Sequence, residues 1–192
     1  MTDRPNRLNE NPSQTAGPYV HIGALPNFAG ITGVYLEDLG ARMLNERTQG
    51  QRIEISGTIH DGQGEPVRDA MIELFQADAA GLYPGQPGFD PDFPGFGRCA
   101  ADLATGHWSF RTIRPGAGLN AVPFVTLWIV ARGINTGLHT RMYFPDDDPT
   151  SDPLIRSAGA RSATLIGKKT AEGAYVHDIF LQGPRETVFL DI

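Results

Sequence analysis

Short stretches in which apolar and polar residues alternate recur along the chain from residue 51 onward, separated by turn residues. In QRIEISGTIH, the residues Ile53, Ile55 and Ile59 fall on one side of an extended chain, and MIELFQA alternates in the same way. A period of two residues is typical of a half-buried β-strand. Because the turn sequence DGQG lies between these two stretches, the pattern predicts a β-hairpin.

Later stretches of the same character predict a fold built from strands throughout. They are HWSFRTI, AVPFVTLWIVARG, LHTRMYF, RSATLIGKK and AYVHDIFLQG, joined by turn sequences such as GINTG and TAEGA. Residues 83–97, YPGQPGFDPDFPGFG, are too rich in Gly and Pro for a helix or a central strand, which predicts a long packed loop. Seven or so short strands indicate an all-β protein, a β-sandwich of mostly antiparallel strands.

The chain before residue 51 has a different pattern. Residues 1–18 are polar and have no period that would bury a face, so they predict an N-terminal arm that becomes ordered only against something else. Residues 36–47, LEDLGARMLNER, place acidic residues early and Arg late, which predicts one short helix. We expect residues 19–192 to form a single β-sandwich domain, since this length suffices for one core.

Composition and charge narrow the class of protein further. The 23 Gly and 15 Pro residues favour turns, and a net charge of -6 without a Lys/Arg cluster argues against a nucleic-acid binder. The single cysteine, Cys99, excludes an intrachain disulfide and a thiolate zinc cage. No apolar segment resembles a signal peptide or a membrane span, so the sequence predicts a soluble, cytoplasmic protein.

Residues that could carry chemistry on their own are scarce. No two histidines have the i, i+2 or i, i+4 spacing that presents both to one metal ion. No G-x-S-x-G motif is present, and Cys99 has no recognisable activating neighbour. The acidic stretch PDDDPTSDP lacks the Gly hinge and the terminal Glu of a calcium loop, so it predicts a solvated turn. The five histidines are His21, His60, His107, His139 and His177.

Several longer motifs occur in a fixed order. They are DGQGEPVRDAMIELFQADAAGLY, FGR, FRTIRPGA, ARGIN and RMYFP, framed by NPSQTAGPYVHIG near the beginning and GPRETVFLDI at the end. Together they resemble the signatures of intradiol ring-cleaving dioxygenases, which open catechol-type rings with a non-haem ferric ion. The two framing segments are similar to the iron-free α chain of the members that are built from two homologous chains.

The resemblance also indicates where the iron ligands of that family, two tyrosines and an H-x-H pair of histidines, would fall. Tyr83 matches the first tyrosine, whereas Gly118 takes the place of the second. Phe124 and Thr126 take the places of the two histidines. Glycine, a phenyl ring and a neutral hydroxyl cannot replace phenolate and imidazole donors. We therefore expect this chain to bind no iron, to contain no catalytic residue and to be inactive alone.

What the resemblance implies instead is a role beside a partner. In the heteromeric members the iron-free chain pairs with a homologous β subunit that binds Fe(3+), and the cleft lies between them in a higher oligomer of αβ pairs. In that arrangement Thr15, Gly17, Pro18 and Tyr19 of the arm and Arg132 would help form the wall around a small aromatic substrate. The implied substrates are protocatechuate and O2, and the product is 3-carboxy-cis,cis-muconate.

Arg132 suits such a wall because a guanidinium recognises the carboxylate that protocatechuate carries. On a strand over residues 121–133 it would share a side with Phe124 and Thr126, yet lie about 26 Å from Phe124. It cannot then act on anything at the degenerate positions of its own chain. Arg132 could equally be a structural ion-pair partner at the chain interface, and the arm an anchor without substrate contact.

Two other hypotheses remain open on the sequence. The chain could be a stand-alone β-sandwich binding module derived from a dioxygenase. It could also be an enzyme that uses other groups, for example Tyr83 with His107 or His139.

Overall fold

The structure is a computed structural model that describes residues 15–17, 19–118 and 122–191. The strands are β1 (Arg52–His60), β2 (Met71–Gln76), β3 (Phe96–Ala100), β4 (His107–Ile113), β5 (Phe124–Val130), β6 (Leu138–Tyr143), β7 (Lys168–Ala171), β8 (Ala174–Val176) and β9 (Ile179–Phe180). The α-helices are α1 (Val20–Ala24) and α2 (Pro153–Ala158), and two 3-10 helices span Pro149–Ser151 and Gly159–Leu165.

The described strands form two sheets. One has the order β4-β1-β8-β7 with β9 also paired to β1, and the other has the order β3-β2-β5-β6. The pairs of β1 with β8 and with β9 are parallel, and the other pairs are antiparallel. The predicted β-sandwich of mostly antiparallel strands is therefore confirmed.

The core lies between the inner faces of the two sheets. Ile53, Ile55 and Ile59 of β1 are buried there, as the alternation predicts, and they meet Leu74 and Leu127 of the second sheet in one apolar cluster. A polar link crosses the same interior. Buried Gln76 of β2 accepts a hydrogen bond from the Thr112 hydroxyl of β4 and donates one to the carbonyl of Ile113. The two sheets are thus held by apolar contact and by one satisfied amide.

The predicted hairpin between β1 and β2 is wrong, because these strands belong to different sheets. The turn itself is present: the Asp61 carboxylate accepts hydrogen bonds from the N–H groups of Gln63 and Glu65. The connection then continues through residues 61–70, which is long enough to carry the chain across the sandwich. Alternation reports which face of a strand is buried and leaves its partner strand undetermined.

The helix predicted over residues 36–47 is also wrong, since this segment consists of turns and bends. Its side chains serve tertiary contacts instead. The carboxylate of Asp38 accepts hydrogen bonds from the N–H groups of Asn27 and Phe28. Gly40, at a φ of 83°, accepts a hydrogen bond from the Arg98 N–H, and Met43 is buried in the core. These contacts outweigh a weak helical preference.

Several other elements agree with the prediction, although AYVHDIFLQG contains the two short strands β8 and β9 where one was predicted, and β3 begins inside the predicted loop. GINTG joins β5 and β6 as an antiparallel hairpin, and TAEGA does the same for β7 and β8. The loop before β3 is long and packed, with Phe93 buried. The strand predicted over RSATLIGKK begins only at Lys168, because the preceding residues form a 3-10 helix. The division into an arm (1–18) and one domain (19–192) stays a prediction.

Candidate functional site

The outer face of the four-stranded sheet carries most of the positions that the resemblance singles out. Phe124, Thr126 and Trp128 of β5 point away from the core, because Val125, Leu127 and Ile129 between them are buried. Thr126 lies between Phe75 of β2 and Arg141 of β6 in the register of the sheet. Trp128 lies in the same way between Glu73 and His139, and Phe124 lies opposite Tyr143.

A guanidinium group occupies one end of this face. The centre of the Arg141 guanidinium is 4.0 Å from the centroid of the Phe124 ring, a distance typical of a cation–π interaction. The Nη1 atom of Arg141 donates a hydrogen bond to the Tyr143 hydroxyl at 3.3 Å. It is also 3.8 Å from the carboxylate of Asp152, the residue that caps helix α2. The face therefore holds a fixed positive charge beside Phe124 and Thr126.

Tyr83 reaches the same face from the long loop. Its ring stacks on Phe75, with centroids 5.4 Å apart. Burial raises the pKa of the Tyr83 phenol, and the charge of Arg141 opposes that rise. Burial likewise raises the pKa of Tyr143 to about 12. Burial therefore disfavours the phenolate form of both side chains.

Gly118 lies against the loop that precedes Tyr83. A Cβ atom added to Gly81 would come 2.8 Å from the Gly118 nitrogen, so the two backbones pack with no room for a side chain at Gly81. The structure thus brings Tyr83, Phe124 and Thr126 to one face and places Gly118 beside the segment that leads into it.

A cleft of about 660 Å³ opens on the remainder of this face. Its walls are mainly aromatic, and its carboxylate, Glu73, is paired with Arg98 at 2.6 Å. Such a lining can contact the ring of an aromatic ligand, but it leaves few polar groups that could react with a bound molecule. The lining residues are Glu73, Phe75, Phe96, Thr126, Trp128 and His139.

Arg132 lies elsewhere, in a turn that follows β5, and not on the strand as predicted. Thr15 of the arm binds this turn on both sides of Arg132. Its hydroxyl donates a hydrogen bond to the Ala131 carbonyl at 3.1 Å and accepts one from the Gly133 N–H at 3.0 Å. We call this pair of bonds the Thr15 clasp.

Of the arm residues, Thr15 is thus in contact with the turn that carries Arg132. Gly17 has a φ of 70°, a conformation that favours glycine, and Tyr19 is 74% exposed. The Arg132 side chain is 71% exposed, and its Nε is 3.4 Å from the Asp69 carboxylate. Pro18 lies outside the described residues.

Several known proteins are similar to this chain. The profile of the family described as "Dioxygenase" matches residues 26–183. The chain is 38% identical over 196 residues to the protocatechuate 3,4-dioxygenase alpha chain of Pseudomonas putida, covering 96% of this chain and 97% of that one. It is 32% identical over 163 residues to the beta chain of Burkholderia cepacia, covering 72% of this chain and 68% of that one.

The chain belongs to the intradiol dioxygenase family. A solved dioxygenase domain from Streptomyces sp. SirexAA-E, part of a dioxygenase carbohydrate-binding protein fusion, shows the same fold. Its TM-score is 0.58 at 23% identity, covering 82% of this chain and 96% of that one. The resemblance and the fold class inferred from the sequence are both confirmed.

For a member of a dioxygenase family that uses non-haem iron, the outer face is unusual, because its residues do not fit a ferric ion. Within the described residues, no three His, Cys, Asp or Glu side chains are close enough together to hold a metal. The Arg141 guanidinium, centred 4.0 Å from the Phe124 ring, would repel a cation placed there. The phenyl ring of Phe124 has no nitrogen or oxygen atom that could coordinate a metal ion.

Cys99 and the two histidines that could have acted with Tyr83 lie in different environments. Desolvation raises the pKa of the Cys99 thiol to about 12, so the nucleophilic thiolate is not populated at neutral pH. His107 belongs to β4 of the other sheet, so it is not on the face that Tyr83 reaches. His139 is on that face, where its ring contacts Trp128.

Arg141 and Asp69 were not recognisable as site residues from the sequence. The same is true of the contacts that the acidic stretch PDDDPTSDP makes. Arg141 is within the motif RMYFP, but its position beside Thr126 depends on the register of β5 and β6. The stretch predicted to be a solvated turn is engaged: Asp147 pairs with Arg114 at 2.7 Å, and Asp146 accepts a hydrogen bond from Tyr175. Across the described parts of the chain, no helix is long and apolar enough to cross a membrane.

Proposed function

We propose that this chain is the iron-free α subunit of a heteromeric protocatechuate 3,4-dioxygenase. Its homologous β partner would hold the Fe(3+) that cleaves protocatechuate with O2 to 3-carboxy-cis,cis-muconate. The observation that carries the proposal is the Arg141 guanidinium on Phe124, on the face where the family's iron ligands would otherwise lie. Similarity to an α chain over 96% of the sequence supports it.

The residues of this chain would act on substrate binding and not on the ferric ion. The ferric ion held by the partner would activate the catechol for its reaction with O2. The Thr15 clasp fixes the turn that carries Arg132, and the exposed guanidinium offers a charge-assisted partner for the substrate carboxylate. Gly17, Pro18 and Tyr19 would continue the wall. The chain would thus select and orient a carboxylated catechol.

An exposed apolar segment supports the presence of a partner chain. Residues 19–39 follow the arm directly and contain only two charged side chains, Glu37 and Asp38. A concentration of large exposed apolar side chains in one segment is typical of a surface that binds another protein. This segment, with the arm before it, is the surface on which we place the β subunit, and it would allow a higher oligomer of αβ pairs. Its exposed apolar residues are Tyr19, Ile22, Phe28, Ile31, Val34, Tyr35, Leu36 and Leu39.

The alternative function, a stand-alone binding module, has one observation in its favour. The aromatic cleft lined by Phe75, Phe96 and Trp128 could take a planar ligand without any partner. Expression of the chain alone and together with an iron-binding β homologue separates the two functions. We expect the chain alone to be colourless and inactive, and the pair to copurify with ferric-tyrosinate absorption and activity.

Two results would contradict the α-subunit proposal. Stoichiometric iron bound by the isolated chain, or turnover without a partner, would show that the outer face is a working centre. A chain that stays apart from the β homologue yet binds aromatic ligands alone would support the binding module. The cytoplasmic location stays a prediction of the sequence.

Arg132→Ala tests the substrate contact within the reconstituted pair. A charge-assisted hydrogen bond contributes about 1.5–3 kcal/mol, so we expect KM for protocatechuate to rise about tenfold or more. KM for catechol, which lacks the carboxylate, should change little. Arg68→Ala is the matched control, because Arg68 is an exposed arginine that lines, with Arg132, a second cleft of about 670 Å³ that is separate from the aromatic one. We call it the Arg132 cleft. Equal increases in KM for both substrates would argue against carboxylate recognition.

A further inference from the structure

Asp69 lines the Arg132 cleft and forms an ion pair with the Arg132 side chain. Its Oδ2 atom is 3.4 Å from Arg132 Nε, and its side chain is 23% exposed against 71% for the arginine. Within the described residues, this oxygen is buried and has no hydrogen-bond partner. A buried carboxylate oxygen without a donor is rare in proteins, and the nearby Nε–H group can satisfy it through a small rotation of the side chain.

The other acidic residues of the cleft do not share this arrangement. The Oδ1 atom of Asp61 already accepts hydrogen bonds from the backbone of its own turn. Glu65 is exposed, and its carboxylate can remain solvated. Asp69 is therefore the acid placed to fix the guanidinium.

The two ends of Arg132 are held by different contacts. The Thr15 clasp fixes its backbone through Ala131 and Gly133, and Asp69 faces its Nε. A guanidinium is a rigid planar fork, so contact at Nε sets the direction of the two terminal nitrogens. Those nitrogens form the edge that can bind a carboxylate with two parallel hydrogen bonds.

We propose that Asp69 is a positioning residue that orients Arg132 toward the carboxylate of the aromatic substrate. This inference rests on the proposed function. Asp69 does not touch the substrate, so its effect passes entirely through Arg132. It lowers the number of orientations that the exposed arginine must give up when the substrate binds.

The test is a double-mutant cycle in the reconstituted αβ enzyme with Asp69→Asn, Arg132→Ala and both together. An exposed ion pair contributes little, so we expect Asp69→Asn to raise KM for protocatechuate about three- to fivefold. The turnover number and KM for catechol should stay unchanged. In the double variant Asp69→Asn should add nothing to Arg132→Ala, because the group it positions is gone. Glu65→Gln, which removes the same charge from the same cleft, is the control.

The outcomes separate this inference from the proposed function. Additive effects, or equal increases in KM for both substrates, would overturn the role of Asp69 while leaving the subunit assignment intact. An Arg132→Ala variant with unchanged KM for protocatechuate would overturn the substrate contact itself. If the Asp69→Asn chain does not assemble with the β homologue, the Asp69→Glu variant tests the positioning role instead. If the Asp69→Glu variant keeps the preference for protocatechuate over catechol, positioning by the charge of residue 69 is supported. If that preference falls to the level of Arg132→Ala, the positioning role is overturned.

Discussion

At the scale of single residues, Arg141 has the strongest influence on the outer face. Its guanidinium is stabilised by the Phe124 ring and by the carboxylate of Asp152 at 3.8 Å. Its positive charge, beside the Tyr143 hydroxyl, opposes the binding of a cation. The same charge suits an anion. One side chain thus changes the type of ligand that this face can hold.

His177 is a buried group whose protonation should limit stability in acid. Burial lowers its pKa from 6.5 to about 4, against a small opposing effect of Asp178. As pH falls below 6.5, the unfolded chain takes up a proton that the folded chain refuses until about pH 4. The folded state therefore loses stability across this window, by about 1.4 kcal/mol per pH unit and about 3 kcal/mol in total.

We expect His177→Gln to remove most of that slope. Urea unfolding at several pH values between 7 and 4 measures it through the free energy of unfolding. Loss of the buried ring should lower the free energy of unfolding of the variant at pH 7. The readout is therefore the slope of that free energy against pH, and not its value at pH 7. His107→Gln, at an exposed site, is the control. A slope as steep in His177→Gln as in the parent would exclude His177 as its source.

At the scale of elements, strand β1 is the centre of its sheet, paired with β4, β8 and β9. The close approach of its neighbours requires a residue without a side chain at Gly57. A Cβ atom there would overlap the carbonyl oxygen of His177 and press on Trp108. The adjacent hydrogen bond from the His177 N–H to the Ser56 carbonyl would then have to lengthen.

We therefore expect Gly57→Ala to lower the free energy of unfolding by about 3 kcal/mol, the upper range for overpacking a core. Chemical denaturation measures the change. Gly23→Ala is the matched control, because α1 leaves open space at Gly23 and alanine favours a helix by up to about 1 kcal/mol. Similar stability of the two variants would show that β1 can move to accommodate a methyl group.

At the scale of the whole molecule, the apolar segment 19–39 should matter for assembly and not for folding. Leu36 is fully exposed, so Leu36→Glu should change the free energy of unfolding of the isolated chain by less than about 0.5 kcal/mol. In the complex it would bury an unpaired charge, which should weaken association with the β homologue about tenfold or more. Sedimentation or titration binding measures the effect.

Ala160→Glu is the control for that experiment, since it adds the same charge at an exposed position of a 3-10 helix outside the segment. Unchanged affinity of Leu36→Glu would mean that the β subunit binds elsewhere. A fall in self-association of the isolated chain would show instead that two copies of this chain meet on the segment.

The sequence predicted the fold class because each strand buries one face, as at Ile53, Ile55 and Ile59. It predicted hairpins where the turn is short, as between β5 and β6. It failed for β1 and β2, since the partner of a strand depends on contacts distant in sequence. It failed over 36–47, where contacts such as that of Asp38 with the Phe28 N–H override local preference.

Individual positions of the candidate site were predictable, but the contacts between them were not. The resemblance indicated Tyr83, Phe124, Thr126 and Arg132, and the structure brings the first three to one face. Asp69 and Arg132 are 63 positions apart, and no periodic pattern relates them. Their contact exists because the turn after β5 packs beside the connection that leads into β2. Ion pairs of this kind depend on strand register and sheet topology, which local sequence patterns do not reveal.

The guanidinium seated on Phe124 also has an evolutionary consequence. A histidine returned to position 124 would remove the ring on which Arg141 rests and would place a metal ligand against a cation. A single reversion would therefore cost stability before it gained any affinity for a metal. A metal centre could be built on this face only if Arg141 were replaced together with Phe124, because each of the two side chains holds the other in place.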